Sequence, residues 1–224
     1  MTQLTVELKI SLESALSIGA GGSAGTIADK SIVRDGWGRP LIPGSQVKGK
    51  LRWAVEQLLR SMYQDIPSPF DKAIEQETLV RTIFGSPEQR SELYFADLPC
   101  TTVAAAQAHA MYQQLSRVRP SVSINRRRGV AEDARLLFQE TALESMQFAS
   151  PRAIVGHLPD DERAEQYAAL LWAALKLTTR WGGAKSRGLG WGTAEAIVKL
   201  NDDHLKEAGL VAALRLALTQ GASQ

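Results

Sequence analysis

The sequence predicts an α+β fold in which helices cover one face of an antiparallel sheet. Residues 3–12 alternate polar and apolar side chains, as a half-buried strand does. Apolar residues between 47 and 58 recur at helical spacing, and a second helix is predicted over residues 160–181. The elements follow the order β, β, α, β, hairpin-like strands, α, β, which is typical of helices layered on one sheet.

The first strand has one apolar face, made of Leu4, Val6, Leu8, Ile10 and Leu12. A long glycine-rich loop follows over residues 19–38, and loops of that length are usually functional or disordered. The short stretch RPLI, residues 39–42, is a strand candidate, ended by Pro43-Gly44. We expect Ser45 to cap the next helix. The apolar face of that helix comprises Val47, Leu51, Ala54, Val55 and Leu58.

The middle of the chain is less regular. Two prolines indicate a linker over residues 61–72, and a short helix ending at Gly85 precedes a strand over 91–98. The alanine-rich stretch 101–116 is compatible with a helix or with a loosely ordered insertion. Strand-like segments then surround a turn at Arg128-Gly129, and they cover residues 121–124, 134–143 and 146–156.

The last third begins with a helix that has an acidic first turn at residues 160–162 and is expected to stop at Gly182-Gly183. A closing strand over 190–200 and a final helix over 202–218 complete the chain.

Composition excludes several classes of protein. The 224 residues are 44% apolar, enough for a core, and the net charge of +2 does not demand a nucleic-acid partner. One cysteine, Cys100, rules out an internal disulfide and fits a reducing compartment. The three histidines lie far apart in sequence, which disfavours a histidine metal site. Without an apolar run or a signal-like start, we expect a soluble cytoplasmic protein.

The stretch GSQVKGKL, residues 44–51, is one residue away from a nucleotide-binding P-loop. Leu51 stands where that motif needs a hydroxyl for Mg²⁺, so an ATPase site is disfavoured. Lys48, Lys50 and Arg52 occupy the first two turns, where the helix dipole favours acids. A bound phosphate at this helix start would explain them. Ser45, Lys48 and Arg52 share one stripe of the helix, away from its apolar face.

Two further segments are candidate phosphate contacts. The run 117–128 has five arginines and no acid, and its alternative interpretation is a solvated hairpin tip. The glycine-rich stretch GGAKSRGLGWG, residues 182–192, leads from a helix into a strand, the reverse of the P-loop order. It offers Lys185 and Arg187, and its alternative interpretation is a helix cap with a turn. Its part RGLGWG resembles the core strand of an RNA-recognition motif. The binding candidates are Ser45, Lys48, Lys50, Arg52, Arg126, Arg127, Arg128, Lys185 and Arg187, with Gly182, Gly183, Gly188 and Gly190 shaping the second loop.

Four segments together resemble the RAMP superfamily of CRISPR type III effector complexes, most closely its guide-binding backbone subunits. They occur in the family's order over about residues 5–198. Their sequences are IPGSQVKGKLR, IFGSPEQRSELYFAD, SINRRRGVAEDARLLFQE and WGGAKSRGLGWGTAE.

The resemblance implies a modified ferredoxin-like or RNA-recognition-motif core with an inserted thumb hairpin. It implies one RNA-binding domain over residues 1–224, with insertions around 61–90 and 100–156. It also implies that an aspartate before the V-x-R-D run cuts bound target RNA with Mg²⁺ or a similar divalent cation. Asp29 of ADKSIVRD matches that aspartate, although Lys30-Ser31 replaces the family's small residue and proline. Asp35 is expected to pair with Arg34 or Arg39, or to cap a turn.

The partners implied by the resemblance are a CRISPR guide RNA, a complementary target RNA and other type III effector subunits, including copies of the chain itself, in antiviral defence. A different class remains open: a non-catalytic structural or capping subunit of the same fold. A guide-processing endonuclease is disfavoured, because that activity usually relies on a histidine base.

Overall fold

The computed structural model describes residues 1–19, 28–62 and 78–220. The centre of the predicted 19–38 loop and most of the predicted 61–72 linker therefore lie outside the described residues. Nothing in the described part is a helix long and apolar enough to cross a membrane.

The described residues form nine strands and five α-helices. The strands are β1 (Thr2–Leu12), β2 (Leu41–Ile42), β3 (Leu93–Phe95), β4 (Leu98–Pro99), β5 (Ser116–Asn125), β6 (Val130–Ala142), β7 (Gln147–Leu158), β8 (Gly192–Leu200) and β9 (Asp203–His204). The helices are α1 (Gly44–Met62), α2 (Leu79–Phe84), α3 (Ala105–Ala108), α4 (Asp161–Leu177) and α5 (Glu207–Gln220).

The main sheet has the strand order β3-β7-β1-β8-β9, with antiparallel neighbours throughout. In chain order its central part is β1, α1, β3, β7, α4, β8, which is the split βαβ arrangement of ferredoxin-like folds. The α+β prediction is therefore confirmed, together with its antiparallel sheet.

The core lies between this sheet and helices α1 and α4. The predicted apolar face of β1 is buried, since each of its five side chains is at most 4% exposed. The predicted apolar face of α1 is buried as well, except that Leu58 is half-buried and Leu59 takes its place. Burial of these side chains fixes the register of β1, because a shift by one residue would move all of them from the core face to the solvent face.

Strands β5 and β6 form a separate antiparallel hairpin, which is inserted in the chain between β4 and β7. The base of β6 is joined to the body of the protein by backbone hydrogen bonds in both directions between Leu16 and Ala142. The predicted strand segments of this region are confirmed, although the observed strands are longer, and residues 126–129 form the predicted turn.

The prediction that Ser45 caps α1 is wrong. The helix already begins at Gly44, and the carbonyl of Pro43 accepts hydrogen bonds from the amides of Gln46 and Val47. The Gly44 amide donates to the Asp97 carboxylate at 2.8 Å. A carboxylate from a distant loop therefore supplies the negative charge that a helix N-terminus attracts.

Two other boundaries differ from expectation. Helix α4 ends at Leu177 rather than at Gly182, because the next residues run to Trp181, whose side chain is fully buried. The stretch 101–116 contains only the short helix α3 and a single 3₁₀ turn at Tyr112–Gln114. The final helix starts at Glu207, after the short strand β9.

The start of α1 is sterically constrained at Gly44. A Cβ atom there would lie 2.1 Å from the Phe95 carbonyl oxygen, whereas a Cβ at Gly49 would meet nothing within 4 Å. We expect Gly44→Ala to lower the free energy of unfolding by about 2 kcal/mol or more. Gly49→Ala, in the same helix, should raise it by about 0.5–1 kcal/mol. Urea unfolding of both variants checks this, and equal effects would contradict the observed packing.

Candidate nucleic-acid interface

Two lysines from distant parts of the sequence meet between α1 and the loop that follows α4. The Gly182 amide donates to Oε1 of Gln46 at 3.2 Å, which holds the loop against the helix. The pKa of Lys50 is lowered to about 8, most of all by burial and also by a hydrogen bond to the Lys185 amine and repulsion from its charge. None of the ion pairs found among the described residues includes either lysine. Two neighbouring amines without a carboxylate partner form a site that a phosphate would stabilise.

The loop over residues 182–190 is shaped by glycines with left-handed backbones. Gly182 and Gly190 have φ angles of 71° and 80°. A Cβ at Gly190 would lie 1.8 Å from the Trp181 carbonyl oxygen, so the loop can pass there only as glycine. Lys185–Arg187 form one 3₁₀ turn within the loop, and β8 begins only at Gly192. The interpretation of RGLGWG as an RNA-recognition-motif strand is therefore wrong.

Arginine side chains brace this loop from both sides. The Arg180 guanidinium stacks 3.6 Å from the centroid of the Trp191 ring and donates to the Lys185 carbonyl at 2.9 Å. Arg187 donates from Nη1 to Ser121 Oγ of β5 and to Gln139 Oε1 of β6, both at 3.3 Å. Arg187 itself is exposed, so it lies at the surface where the hairpin meets the loop.

Asp29 is held against the same hairpin. Its backbone amide donates to the Phe138 carbonyl at 2.9 Å, and its Oδ2 accepts from the Phe138 amide at 2.8 Å. The residue is exposed, and Oδ1 has no hydrogen-bond donor among the described residues. One oxygen of this carboxylate is therefore fixed and the other is available to a ligand.

A half-buried carboxylate, Glu140, fixes the segment that follows Asp29. It accepts hydrogen bonds from the Ile32 amide at 3.0 Å and from Arg34 Nη2 at 2.7 Å, and from the Ser116 hydroxyl at 2.5 Å. Burial alone would raise the pKa of Glu140, but the hydrogen bonds from Ser116, Arg34 and Ile32 hold it below its ordinary value. The Arg34 guanidinium also lies 4.0 Å from the centroid of the Tyr112 ring.

Gln139 connects the two loops. Its Nε2 donates to the Ser17 hydroxyl, and its Oε1 accepts from Arg187. The residues on either side of it, Phe138 and Glu140, hold Asp29 and the Ile32 segment. Sequence reasoning missed Gln139 and Glu140, because their role depends on contacts more than 40 positions away in sequence.

The remaining predicted contacts lie elsewhere. Arg52 pairs with Glu56 at 3.0 Å and donates to the Gly85 carbonyl at 3.1 Å, toward α2 rather than toward Lys185. Lys48 lies 5.8 Å from the centroid of the Phe95 ring, and its pKa is lowered by burial and by the charge of Arg52. Ser45 is exposed in the first turn of α1.

The three tip arginines, Arg126, Arg127 and Arg128, are exposed in the turn between β5 and β6. Asn125 Oδ1 shapes this turn by accepting from the amides of Arg127 and Arg128 at 3.1 Å. The Asn125–Val130 pair lies nine strand positions from Gln139, roughly 30 Å at about 3.3 Å per residue. The tip is therefore a separate basic surface.

Two lysines on the open face of the main sheet are paired with glutamates. Lys9 pairs with Glu195 at 3.8 Å, and Lys199 pairs with Glu7. These two lysines therefore already have carboxylate partners, in contrast to Lys50 and Lys185. Asp35 pairs with Arg39 at 2.7 Å and also caps the 35–38 turn, as predicted.

A protein-built metal cage is not found in the described residues, where no group of three or more His, Cys, Asp or Glu side chains converges. Mg²⁺ commonly keeps several waters and is held by one or two carboxylates together with substrate phosphates. The available Oδ1 of Asp29 fits that shared mode of binding and not a site formed by the chain alone.

The family model of the RAMP superfamily matches residues 9–193. A curated relative, CRISPR system Cms endoribonuclease Csm3 of Mycobacterium tuberculosis, is 32% identical over 141 residues. That stretch covers 61% of this chain and 57% of the relative, so the chain matches little more than half of the relative's length.

We expect Glu140→Gln to loosen the segment that carries Asp29, because hydrogen bonds to a charged acceptor are stronger than those to a neutral one. Hydrogen exchange over residues 28–34 should become about tenfold faster or more. Glu132→Gln is the control, since the one hydrogen-bond partner of Glu132 within the described residues is the Ser123 hydroxyl, on the exposed part of the hairpin. Unchanged protection in Glu140→Gln would mean that the carboxylate does not hold this segment.

Proposed function

Because the match over residues 9–193 shows that the chain belongs to the RAMP superfamily, we propose that it is a guide-RNA-binding backbone subunit of a type III CRISPR effector complex and that it cleaves complementary target RNA. The observation that carries the proposal is that α1 and the 182–190 loop bring the amines of Lys50 and Lys185 together. An RNA backbone supplies the negative charge that this pair lacks.

The position of Arg187 supports the same binding surface. It continues the basic site from Lys185 to the hairpin and is exposed. Phosphate contacts of this kind are independent of base sequence, as a subunit that accepts any guide requires. The tip arginines form a further basic surface, which we assign to the RNA that runs along the hairpin, the proposed thumb.

Asp29 is the proposed catalytic residue. RNA carries its own nucleophile, the 2′-hydroxyl, so the protein needs to align it with the phosphate and assist proton transfer. Asp29 is suited to accept that proton or to position the attacking group, because Phe138 fixes one of its oxygens. A divalent cation bound at Oδ1 would supply stabilisation of the charge that develops on the phosphate.

The alternative is a non-catalytic structural or capping subunit. It is favoured by the finding that no group of three or more His, Cys, Asp or Glu side chains converges among the described residues. Both functions predict RNA binding and assembly with other subunits, and they differ only in cleavage.

Asp29→Ala in the assembled complex decides between these functions. We expect it to reduce the single-turnover rate of target cleavage by at least about 10²-fold, because the carboxylate contributes to proton transfer. Binding of guide and target should be unchanged. Asp35→Asn is a control, since the Asp35 carboxylate pairs with Arg39, whereas the Asp29 carboxylate is bound to Phe138. Retained cleavage in Asp29→Ala would overturn the site assignment.

Affinity for RNA should also depend on pH through Lys50. In the free protein its pKa is about 8, and a bound phosphate should raise it toward its ordinary value. Binding then takes up a proton between about pH 8 and 10, so affinity falls as the pH rises through this range. Oligoadenylate is the probe. Lys50→Arg should flatten the profile, because arginine keeps its charge.

The salt dependence of binding gives an independent measure. Lys50→Ala and Lys185→Ala should each reduce the slope of log K against log salt by roughly 0.7. Lys9→Ala is the control on the open face of the sheet, where Lys9 already has a carboxylate partner. A pH profile that stays steep in Lys50→Arg, or unchanged salt slopes in the alanine variants, would contradict a phosphate at this pair.

A further inference from the structure

Trp53 is an unusually exposed side chain for the middle of a long helix. It is 60% exposed, whereas α1 buries its apolar face on the opposite side, at Val47, Leu51 and Val55. Its ring does not contribute to the core, although burial of such a large apolar surface is strongly favourable. Trp53 therefore contributes a flat apolar surface to the outside of the protein.

The charge around this ring is positive. Lys185 Nζ lies 5.6 Å from the ring centroid, and Lys50 is one helical turn before Trp53 on α1. Arg180 is bound to the backbone of Lys185 and stacks on Trp191, whose ring is 38% exposed. Ion pairs involving these three cations are absent among the described residues.

An exposed indole bordered by unpaired cations has the composition of a single-stranded nucleic-acid site. Such sites combine a positively charged path for the backbone with aromatic side chains on which bases stack. A second protein surface would need carboxylates opposite the lysines and an apolar patch wider than one ring. The charge complementarity thus favours RNA over a protein partner.

We propose that Trp53 is a stacking platform for one nucleobase of single-stranded RNA whose phosphates contact Lys50 and Lys185. The proposal rests on the proposed RNA-binding function and extends it from the phosphate backbone to a base. Stacking accepts any base, because each has a π face, so this contact keeps the site independent of sequence. It also selects unpaired RNA, since the bases of a duplex are already stacked.

The test compares Trp53→Ala with Trp37→Ala, since Trp37 is also 60% exposed but lies in the 35–38 turn. Affinity for labelled oligoadenylate should fall roughly tenfold in Trp53→Ala and stay unchanged in Trp37→Ala. The salt slope should be unchanged in Trp53→Ala, because stacking releases no counterions. Trp53→Phe should recover most of the affinity, and a duplex RNA should not distinguish the variants.

Tryptophan fluorescence gives a second readout that does not require the alanine variant to fold. Oligoadenylate should quench the wild-type emission, and most of that quenching should be lost in Trp53→Phe. Quenching that persists unchanged in Trp53→Phe would overturn the proposal.

The other outcomes are distinct. If Lys185→Ala weakens binding and Trp53→Ala does not, RNA binding stands and stacking is overturned. If Trp53→Ala instead reduces assembly of copies of the chain at unchanged RNA affinity, Trp53 belongs to a protein interface and the proposal is wrong. A guide-free wild-type chain without affinity for oligoadenylate would contradict the proposed function and the stacking together.

Discussion

Three consecutive residues of β6 hold the candidate site together. The backbone of Phe138 fixes Asp29, the side chain of Gln139 joins Ser17 to Arg187, and the carboxylate of Glu140 holds the Ile32 amide and Arg34. The alternation of side chains along a strand allows this, because Gln139 and Glu140 point to opposite faces of the hairpin. The 182–190 loop and the Asp29 segment are therefore positioned by one strand, although they are more than 140 residues apart in sequence.

The Lys50–Lys185 pair is electrostatically unfavourable by itself, and the surrounding fold holds it in place. Two neighbouring lysine amines repel each other, and burial adds to the cost of charging Lys50. The fold keeps them together because the Gly182 amide bonds to Gln46 and the loop passes Trp181 at Gly190, where no side chain fits. Locally unfavourable charge on a well-supported scaffold is expected at a binding site, since the ligand supplies the missing opposite charge.

Patterns of local origin were predictable from the sequence. The period-two alternation of β1 and the helical spacing of α1 depend on residues close in sequence, and the structure confirms both. The α1 cap was not predictable, because Asp97 is 53 positions from Gly44. The end of α4 was not predictable either, since the burial of Trp181 overrides the glycine signal that follows it.

Lys50 and Lys185 were candidates from the sequence, but only the structure brings them to one site and turns Arg52 toward Glu56 instead.

The most direct test of the central claim is a structure of the assembled complex with its guide RNA. The path of the phosphates relative to α1 and the glycine loop is the quantity to measure. We expect a phosphate oxygen within about 3 Å of the amines of Lys50 and Lys185, with the strand continuing past Arg187 toward the hairpin. A guide that runs across the open face of the main sheet, with both amines still facing solvent, would contradict the account.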